Sequence, residues 1–296
     1  MLGLCQFELG QDDAALKNIL EAKQLGTNAD AQFQHVMLYH EGVLYLRKGR
    51  FDSAGETFSQ LSKQGVQSEE LMLGLGMAVL RMPPKDLPAE GAPGRQVVRR
   101  AGEAESFAAR KQFDQAREAY AALIRDFPDF PKIYYAYGHF LLETNDADGA
   151  VAAFQQEIKN SPQSVLARLQ IAAVRYRVDS AAGLPYAEEA VKLAPQLPFA
   201  HYLYGLLLLD TGDTARAITE LEIAEHGLRN EPGVYFALGT AYAKVGRKQD
   251  AARVRAVFAR IKQQTDATTS TSIYGEQPAL PSPDRATENS AAHPPQ

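Results

Sequence analysis

Cysteine is scarce in this sequence, and its scarcity excludes two kinds of structure. Cys5 is the single cysteine among 296 residues, so the chain forms no internal disulfide framework and no cysteine-based zinc site. Cys5 lies on the apolar stripe of the first segment. We expect it to be a small buried hydrophobe rather than a reactive thiol.

A basic excess and long apolar runs are also lacking. The chain has 31 Lys and Arg against 36 Asp and Glu, a net charge of -5, whereas nucleic-acid-binding domains usually carry a strong basic excess. The most apolar stretch, "YLYGLLLLDTG", is too short to span a membrane. We therefore expect neither a nucleic-acid partner nor a membrane span. The compartment stays open: cytoplasmic by default, or periplasmic or secreted if the natural chain starts upstream.

Motifs for catalysis are missing as well. The sequence has no Gly-rich phosphate loop after a strand pattern, no Walker sequence and no HExxH. His35 and His40 are five residues apart, which places them about 140° apart around a helix, so they do not share a face as paired metal ligands would. His201 occupies a core position. We therefore predict a non-enzymatic protein with no catalytic residue, no metal site and no cofactor.

What the sequence does contain is an internal repeat. The segments "YLYGLLLLDTGDTARAITELEIA" and "YFALGTAYAKVGRKQDAARVRAVFA" superimpose with an offset of 34 residues, which aligns Gly205 with Gly239 and Ala217 with Ala251. Small residues continue this register upstream at Gly42, Gly76, Ala104, Gly138 and Ala172. A fixed period of this length is typical of helix pairs that stack on one another.

Bulky, small and aromatic residues recur at fixed positions within each copy. The clearest sets are Tyr235, Leu238, Gly239, Tyr242 and Ala251; Tyr134, Tyr137, Gly138, Leu141, Ala150, Phe154 and Pro162; Leu38, Gly42, Tyr45, Ala54 and Phe58; and Ala116, Tyr120 and Pro128. This pattern resembles the tetratricopeptide repeat family, in about seven copies over residues 1 to about 262. The resemblance implies an all-α, right-handed superhelical solenoid of antiparallel helix pairs, with the first helices along its concave face.

The repeat is irregular in its first copy, at residues 82–95 and at the C-terminal end. The chain is therefore predicted to contain N-terminal repeats (1–81), an irregular crossing (82–95), C-terminal repeats (96–262) and a tail (265–296). The first copy lacks the opening turn of its first helix, so we expect the natural chain to begin upstream or this one to be a fragment. Four prolines in residues 82–95 predict that an irregular crossing replaces the second helix of the third repeat, either as a tolerated loop or as a docking loop or hinge. Residues 265–296 are rich in Ser, Thr and Pro and are predicted to be a disordered tail.

The first helices are apolar nearly all round, and such a helix is either buried on all sides or presents a binding surface. Their faces predict a groove for an extended or helical peptide, although about half of the residues could instead be inter-repeat core. The predicted groove contains Tyr39, Val43, Tyr135, His139, Tyr176, Tyr202, Leu206 and Phe236, with Arg47, Lys132 and Arg177 near its edge.

One subfamily, the chaperone-binding repeats, grips a terminal carboxylate with Lys, Asn and Arg on this face. The matching positions here hold Tyr135, His139, Leu169 and Gln170, so that specificity is not predicted. We expect a scaffold that binds a segment of a protein partner. The alternative is an accessory region of an enzyme system whose catalytic domain lies upstream or on a partner. Self-association through the incomplete first repeat is a further possibility.

Overall fold

A computed structural model describes residues 1–26 and 31–266 of the chain. Within these residues the protein forms fifteen α-helices and no strand, which confirms the predicted all-α repeat fold. The helices are α1 Leu2–Glu8, α2 Asp12–Leu25, α3 Ala31–Arg47, α4 Phe51–Lys63, α5 Glu69–Val79, α6 Pro93–Ala109, α7 Phe113–Asp126, α8 Ile133–Glu143, α9 Ala147–Asn160, α10 Val165–Arg175, α11 Ser180–Leu193, α12 Pro198–Thr211, α13 Thr214–Gly227, α14 Pro232–Lys244 and α15 Lys248–Asp266. Beyond Asp266, the predicted tail lies outside the described residues.

The hairpins α1–α2, α3–α4, α6–α7, α8–α9 and α14–α15 share the same kind of tight turn. The turn residue adopts a positive φ, either as a glycine such as Gly49 (φ 70°) or as another residue such as Asn145 (φ 60°). The residue after it then bonds back to the helix: the Arg50 N–H donates to the Tyr45 carbonyl at 2.8 Å. This arrangement satisfies carbonyls that a helix end leaves unpaired. It fixes the direction in which each second helix returns.

Packing contacts divide the chain into two compact units, residues 1–153 and residues from 154 onward, with the division inside α9. The predicted domain boundaries at residues 81, 95 and 262 remain predictions. Among the described residues, no helix is both long and apolar enough to cross a membrane.

In the first unit, α5 has no second helix of its own. Residues 80–92 contain only a short 3-10 turn, Pro84–Asp86, and α6 then packs directly on α5. Gly76 lies opposite Val98, and Gly102 opposite Met72, so the two helices run antiparallel. A Cβ atom on Gly76 would lie 1.8 Å from the Val98 carbonyl oxygen, and one on Gly102 would lie 1.7 Å from the Met72 carbonyl oxygen. α6 therefore serves as the partner of both α5 and α7.

A single aromatic ring fills the core between α3, α4 and α5. Phe58 of α4 is fully buried. Its ring lies against Gly42 of α3 and Gly74 of α5, and a Cβ atom on either glycine would approach it to 2.5 Å or 2.9 Å. The repeat positions of Gly42 and Phe58 thus meet as a small residue and a bulky one, which lets the helices approach closely.

The expectation of a buried Cys5 is wrong, because the Cys5 side chain is exposed. α1 packs on α2 through its other side, where Gly3 faces Ile19. Leu2 shares the exposed surface with 62% of its area accessible. The apolar pattern of α1 therefore marks a surface left open among the described residues. Self-association through this repeat stays a prediction.

In the second unit, α12 is enclosed by its neighbours. Every residue from position 199 to position 209 is buried, because α10, α11, α13 and α14 all pack against this helix. His201 is 5% exposed, and its ring bonds to Glu220 at 2.6 Å and to the Pro195 carbonyl at 2.9 Å. The prediction of a packed histidine is confirmed.

We expect Gly76→Ala to destabilise the protein by about 1–3 kcal/mol or more, because the added methyl group collides with backbone that cannot rotate away. Gly55→Ala in α4 is the matched control, since a Cβ atom there would lie 3.7 Å from the Ala78 Cβ atom. That substitution is expected to stabilise by about 0.5–1 kcal/mol through helix propensity. Urea denaturation of both variants measures the difference. Equal effects of the two substitutions would contradict the close approach of α5 and α6.

Candidate functional site

The structure places most of the predicted groove residues in two separate pockets, one in each unit. Tyr176, Arg177, Leu206 and Phe236 line a pocket in the second unit. Tyr135 and His139 line a larger pocket in the first unit. The other predicted groove residues line neither pocket: Tyr39, Val43, Arg47, Lys132 and Tyr202.

The pocket in the second unit is formed by the first helices of three consecutive repeats, and we call it the α10–α14 pocket. It has a volume of about 180 Å³. Its wall runs from the end of α10 across α12 to α14. The lining residues are Tyr176, Arg177, Leu206, Leu209, Asp210, Phe236, Ala237, Thr240 and Lys244. Leucine and aromatic side chains therefore meet two cations and one carboxylate here.

The polar groups of the α10–α14 pocket are held in place by the turn after α10. Arg177 adopts a left-handed backbone (φ 66°), and its guanidinium lies 5.4 Å from the centre of the Tyr176 ring. The Ser180 hydroxyl accepts from the Arg177 N–H at 3.0 Å and donates to the Asp210 carboxylate at 2.5 Å. Lys244 donates to the Leu209 carbonyl at 3.4 Å. Because Arg177 and Lys244 outnumber the single carboxylate of Asp210, the pocket carries a net positive charge.

Tyr202 lies in the core and not in this pocket. Its side chain is 1% exposed, and its hydroxyl fits against Gly233, where a Cβ atom would approach it to 2.0 Å. Burial, followed by the charge of Glu231, raises the pKa of Tyr202. Tyr202 of α12 therefore packs against α14, between two repeats.

The pocket in the first unit lies where the second helix of the third repeat is missing, and we call it the α4–α8 pocket. It has a volume of about 490 Å³. Its lining residues are Phe51, Asp52, Gly55, Glu56, Ser59, Lys63, Ala78, Val79, Arg81, Glu105, Ala109, Tyr135, His139, Phe140 and Glu143. The Tyr135 and His139 rings meet edge to face at 4.7 Å. Lys132 donates to the Arg81 carbonyl at 2.8 Å.

Two carboxyl groups of the α4–α8 pocket are held in an unfavourable environment for charge. Burial raises the pKa of Glu105, and the nearby charge of Glu143 raises it further. Burial also raises the pKa of Glu143, against the opposing effect of Lys63. The Tyr120 hydroxyl donates to Glu105 at 3.3 Å. Both carboxyl groups are therefore partly desolvated, and the charge of Glu143 adds to the cost of ionising Glu105.

The predicted groove residues of α3 have other contacts. Arg47 forms an ion pair with Asp12 at 2.9 Å, and its guanidinium lies 4.3 Å from the centre of the Phe7 ring, so it links α3 to the first repeat. Tyr39 is half-buried, with its ring 5.9 Å from that of Phe58. Val43 is also half-buried.

Sequence reasoning missed the acidic wall of the α4–α8 pocket. The signal that could have found it is the spacing of 28 residues between Gly76 and Ala104, which is too short to hold a complete helix pair. A missing helix leaves the neighbouring side chains of α4, α6 and α8 uncovered. In the part of the chain that the structure describes, no group of three or more His, Cys, Asp or Glu side chains is arranged to hold a metal ion.

The tetratricopeptide repeat family model matches residues 101–165 and 173–233, which include parts of both units. These two segments consist of tetratricopeptide repeats (TPR). Among solved structures, MamA from Desulfovibrio magneticus RS-1 (residues 41 to end) has a TM-score of 0.51 at 22% identity, covering 60% of this chain and all of that one. A MamA RS-1 double mutant has a TM-score of 0.54 at 21% identity, and the match covers 60% of this chain and 99% of the MamA chain.

The TPR protein YrrB has a TM-score of 0.50 at 15% identity, covering 56% of this chain and 87% of its own. No curated protein matches the sequence. At these identities the structural neighbours show the fold alone. The TPR fold suggests a protein–protein interaction scaffold, and proteins of this family are typically non-enzymatic.

We expect Glu105→Gln to stabilise the protein more at pH 7 than at pH 4. Because the pKa of Glu105 is raised in the folded state, its contribution to stability is fully present below the ordinary glutamate pKa and is lost as the pH rises through the raised pKa. Glutamine cannot ionise, and its amide oxygen still accepts from Tyr120. Urea unfolding at both pH values measures the difference. Glu118→Gln, on the exposed side of α7, is the control, and an equal response of the two variants would contradict the assignment.

Proposed function

We propose that this TPR protein is a non-enzymatic scaffold that binds a peptide segment of a protein partner in the α10–α14 pocket. The observation that supports the proposal is that Tyr176, just after α10, Leu206 of α12 and Phe236 of α14 line one pocket. Aromatic side chains in such a site supply large contact area at low entropic cost, and they dominate binding energy at many interfaces.

The charge of the pocket restricts the kind of segment that fits. Arg177 is exposed and lies at the pocket wall with Lys244. Asp210 already accepts a hydrogen bond from Ser180. We therefore expect the bound segment to place an apolar side chain against Tyr176 and Phe236 and an acidic residue beside Arg177. The structural neighbour YrrB is a TPR protein with an unusual peptide-binding site, which supports peptide binding on this fold.

Selection from a random peptide library on the full chain tests the proposal, and the selected peptides are then synthesised. We expect Tyr176→Ala and Phe236→Ala each to weaken their binding by about tenfold or more, the loss typical of an aromatic contact at an interface. Arg177→Glu should weaken the acidic peptides most. Fluorescence anisotropy of labelled peptides measures the affinities, and circular dichroism checks that every variant is folded.

Matched controls lie on second helices of the same unit. Tyr186→Ala removes a half-buried tyrosine of α11, and Arg260→Glu reverses an exposed charge of α15; neither residue lines the pocket. Both controls should bind as the wild type does. Peptides that bind the three pocket variants and the two controls equally well would contradict the proposed site.

A further inference from the structure

The α4–α8 pocket exists because the repeat is incomplete. In the regular hairpins of the first unit, such as α3 and α4, a second helix covers one side of the first helix. α5 instead packs on α6, which is already the partner of α7. The side chains of α4, α6 and α8 therefore surround a space of about 490 Å³, within the range of about 300–1,000 Å³ that small-ligand pockets occupy.

Charged groups enter this space from every helix around it. They are Asp52, Glu56 and Lys63 of α4, Arg81 after α5, Glu105 of α6, and His139 and Glu143 of α8. Four carboxyl groups therefore face two permanently charged cations. The pocket combines this excess of negative charge with the apolar surface of Phe51, Ala78 and Phe140.

One of the two cations is already committed. Arg81 forms an ion pair with Asp52 at 2.9 Å, and its side chain is 9% exposed. Its guanidinium also lies 5.2 Å from the centre of the Phe51 ring. Lys63 is exposed to solvent, although its charge acts on both Glu105 and Glu143. Glu105 is the more buried of the two carboxyl groups on which Lys63 acts; it accepts a hydrogen bond from Tyr120 and is also near the charge of His139. Glu143 is exposed to solvent.

We propose that the α4–α8 pocket binds the side chain of a lysine or arginine from a partner polypeptide, with its charged end between Glu105 and Glu143. The aliphatic part of either side chain fits the apolar wall, while the cation lies at the carboxyl groups. The proposal rests on the protein-binding function proposed above but uses a different pocket in a different unit.

The electrostatics of the pocket favour such an occupant. Burial disfavours the ionised forms of Glu105 and Glu143, and the charge of Glu143 disfavours that of Glu105 further. A cation placed between the two carboxyl groups is attracted by both, most strongly at the less exposed Glu105. An anionic side chain would be repelled by the same groups, and a neutral one would form no ion pair with them. The site therefore selects by charge.

The experiment uses the full chain and a short capped peptide, Ala-Ala-Lys-Ala-Ala, with the arginine analogue as a second probe. The same peptide with norleucine in place of lysine keeps the aliphatic chain without its charge. Isothermal titration calorimetry or methyl NMR titration measures the affinities. We expect the lysine or the arginine peptide to bind at least tenfold more tightly than the norleucine peptide.

Variants connect the binding to the pocket. Glu105→Gln and Glu143→Gln should each weaken binding at least fivefold, whereas Glu118→Gln on α7 should change it less than twofold. Lys63→Gln should tighten binding, because it removes a competing cation. A purely structural role of these residues does not predict that gain. Tyr176→Ala, which alters only the α10–α14 pocket, should have no effect, so failure here is distinguishable from failure of the proposed function.

Three results would overturn the proposal. The first is that neither the lysine nor the arginine peptide binds more tightly than the norleucine peptide. The second is unchanged affinity in both Glu105→Gln and Glu143→Gln when circular dichroism shows that these variants are folded. The third is that 1,5-diaminopentane binds as tightly as the lysine peptide, because the pocket would then serve a free amine and not a polypeptide.

Discussion

The close approach of α5 and α6 at Gly76 and Gly102 is the contact on which the first unit depends. Two helix backbones come together there so closely that a single methyl group would overlap a carbonyl oxygen. This approach lets one helix, α6, pack as the partner of α5 while keeping its own partner α7. The chain therefore omits a helix without opening its core, and the omission leaves the α4–α8 pocket beside it.

The two pockets arise from opposite properties of the repeat. The α10–α14 pocket follows from regularity, because three first helices in register present Tyr176, Leu206 and Phe236 on one side. The α4–α8 pocket follows from irregularity, because its acidic wall is uncovered only where a second helix is missing. The charges of the two sites differ accordingly: a net cationic pocket in the second unit and a net anionic one in the first.

Burial decides which aromatic residues of the first helices are available to a partner. α12 is enclosed from position 199 to position 209, so Tyr202 stabilises the contact between repeats. Tyr176 lies just beyond the end of α10 and Phe236 lies on α14, and both keep part of their surface accessible. The same apolar composition thus gives core at the middle of an enclosed helix and accessible aromatic surface where fewer neighbours pack.

The sequence alone determined the helix pairs, because the 34-residue recurrence of small and bulky residues is a local requirement of hairpin packing. It also predicted the place of the irregular crossing, since prolines in residues 82–95 cannot continue a helix. Only the tertiary structure decided which faces are covered. The exposure of Cys5, the burial of Tyr202 and the meeting of Glu105 with Glu143 depend on neighbours distant in sequence. The periodicity of a single helix does not specify which distant residues pack around it.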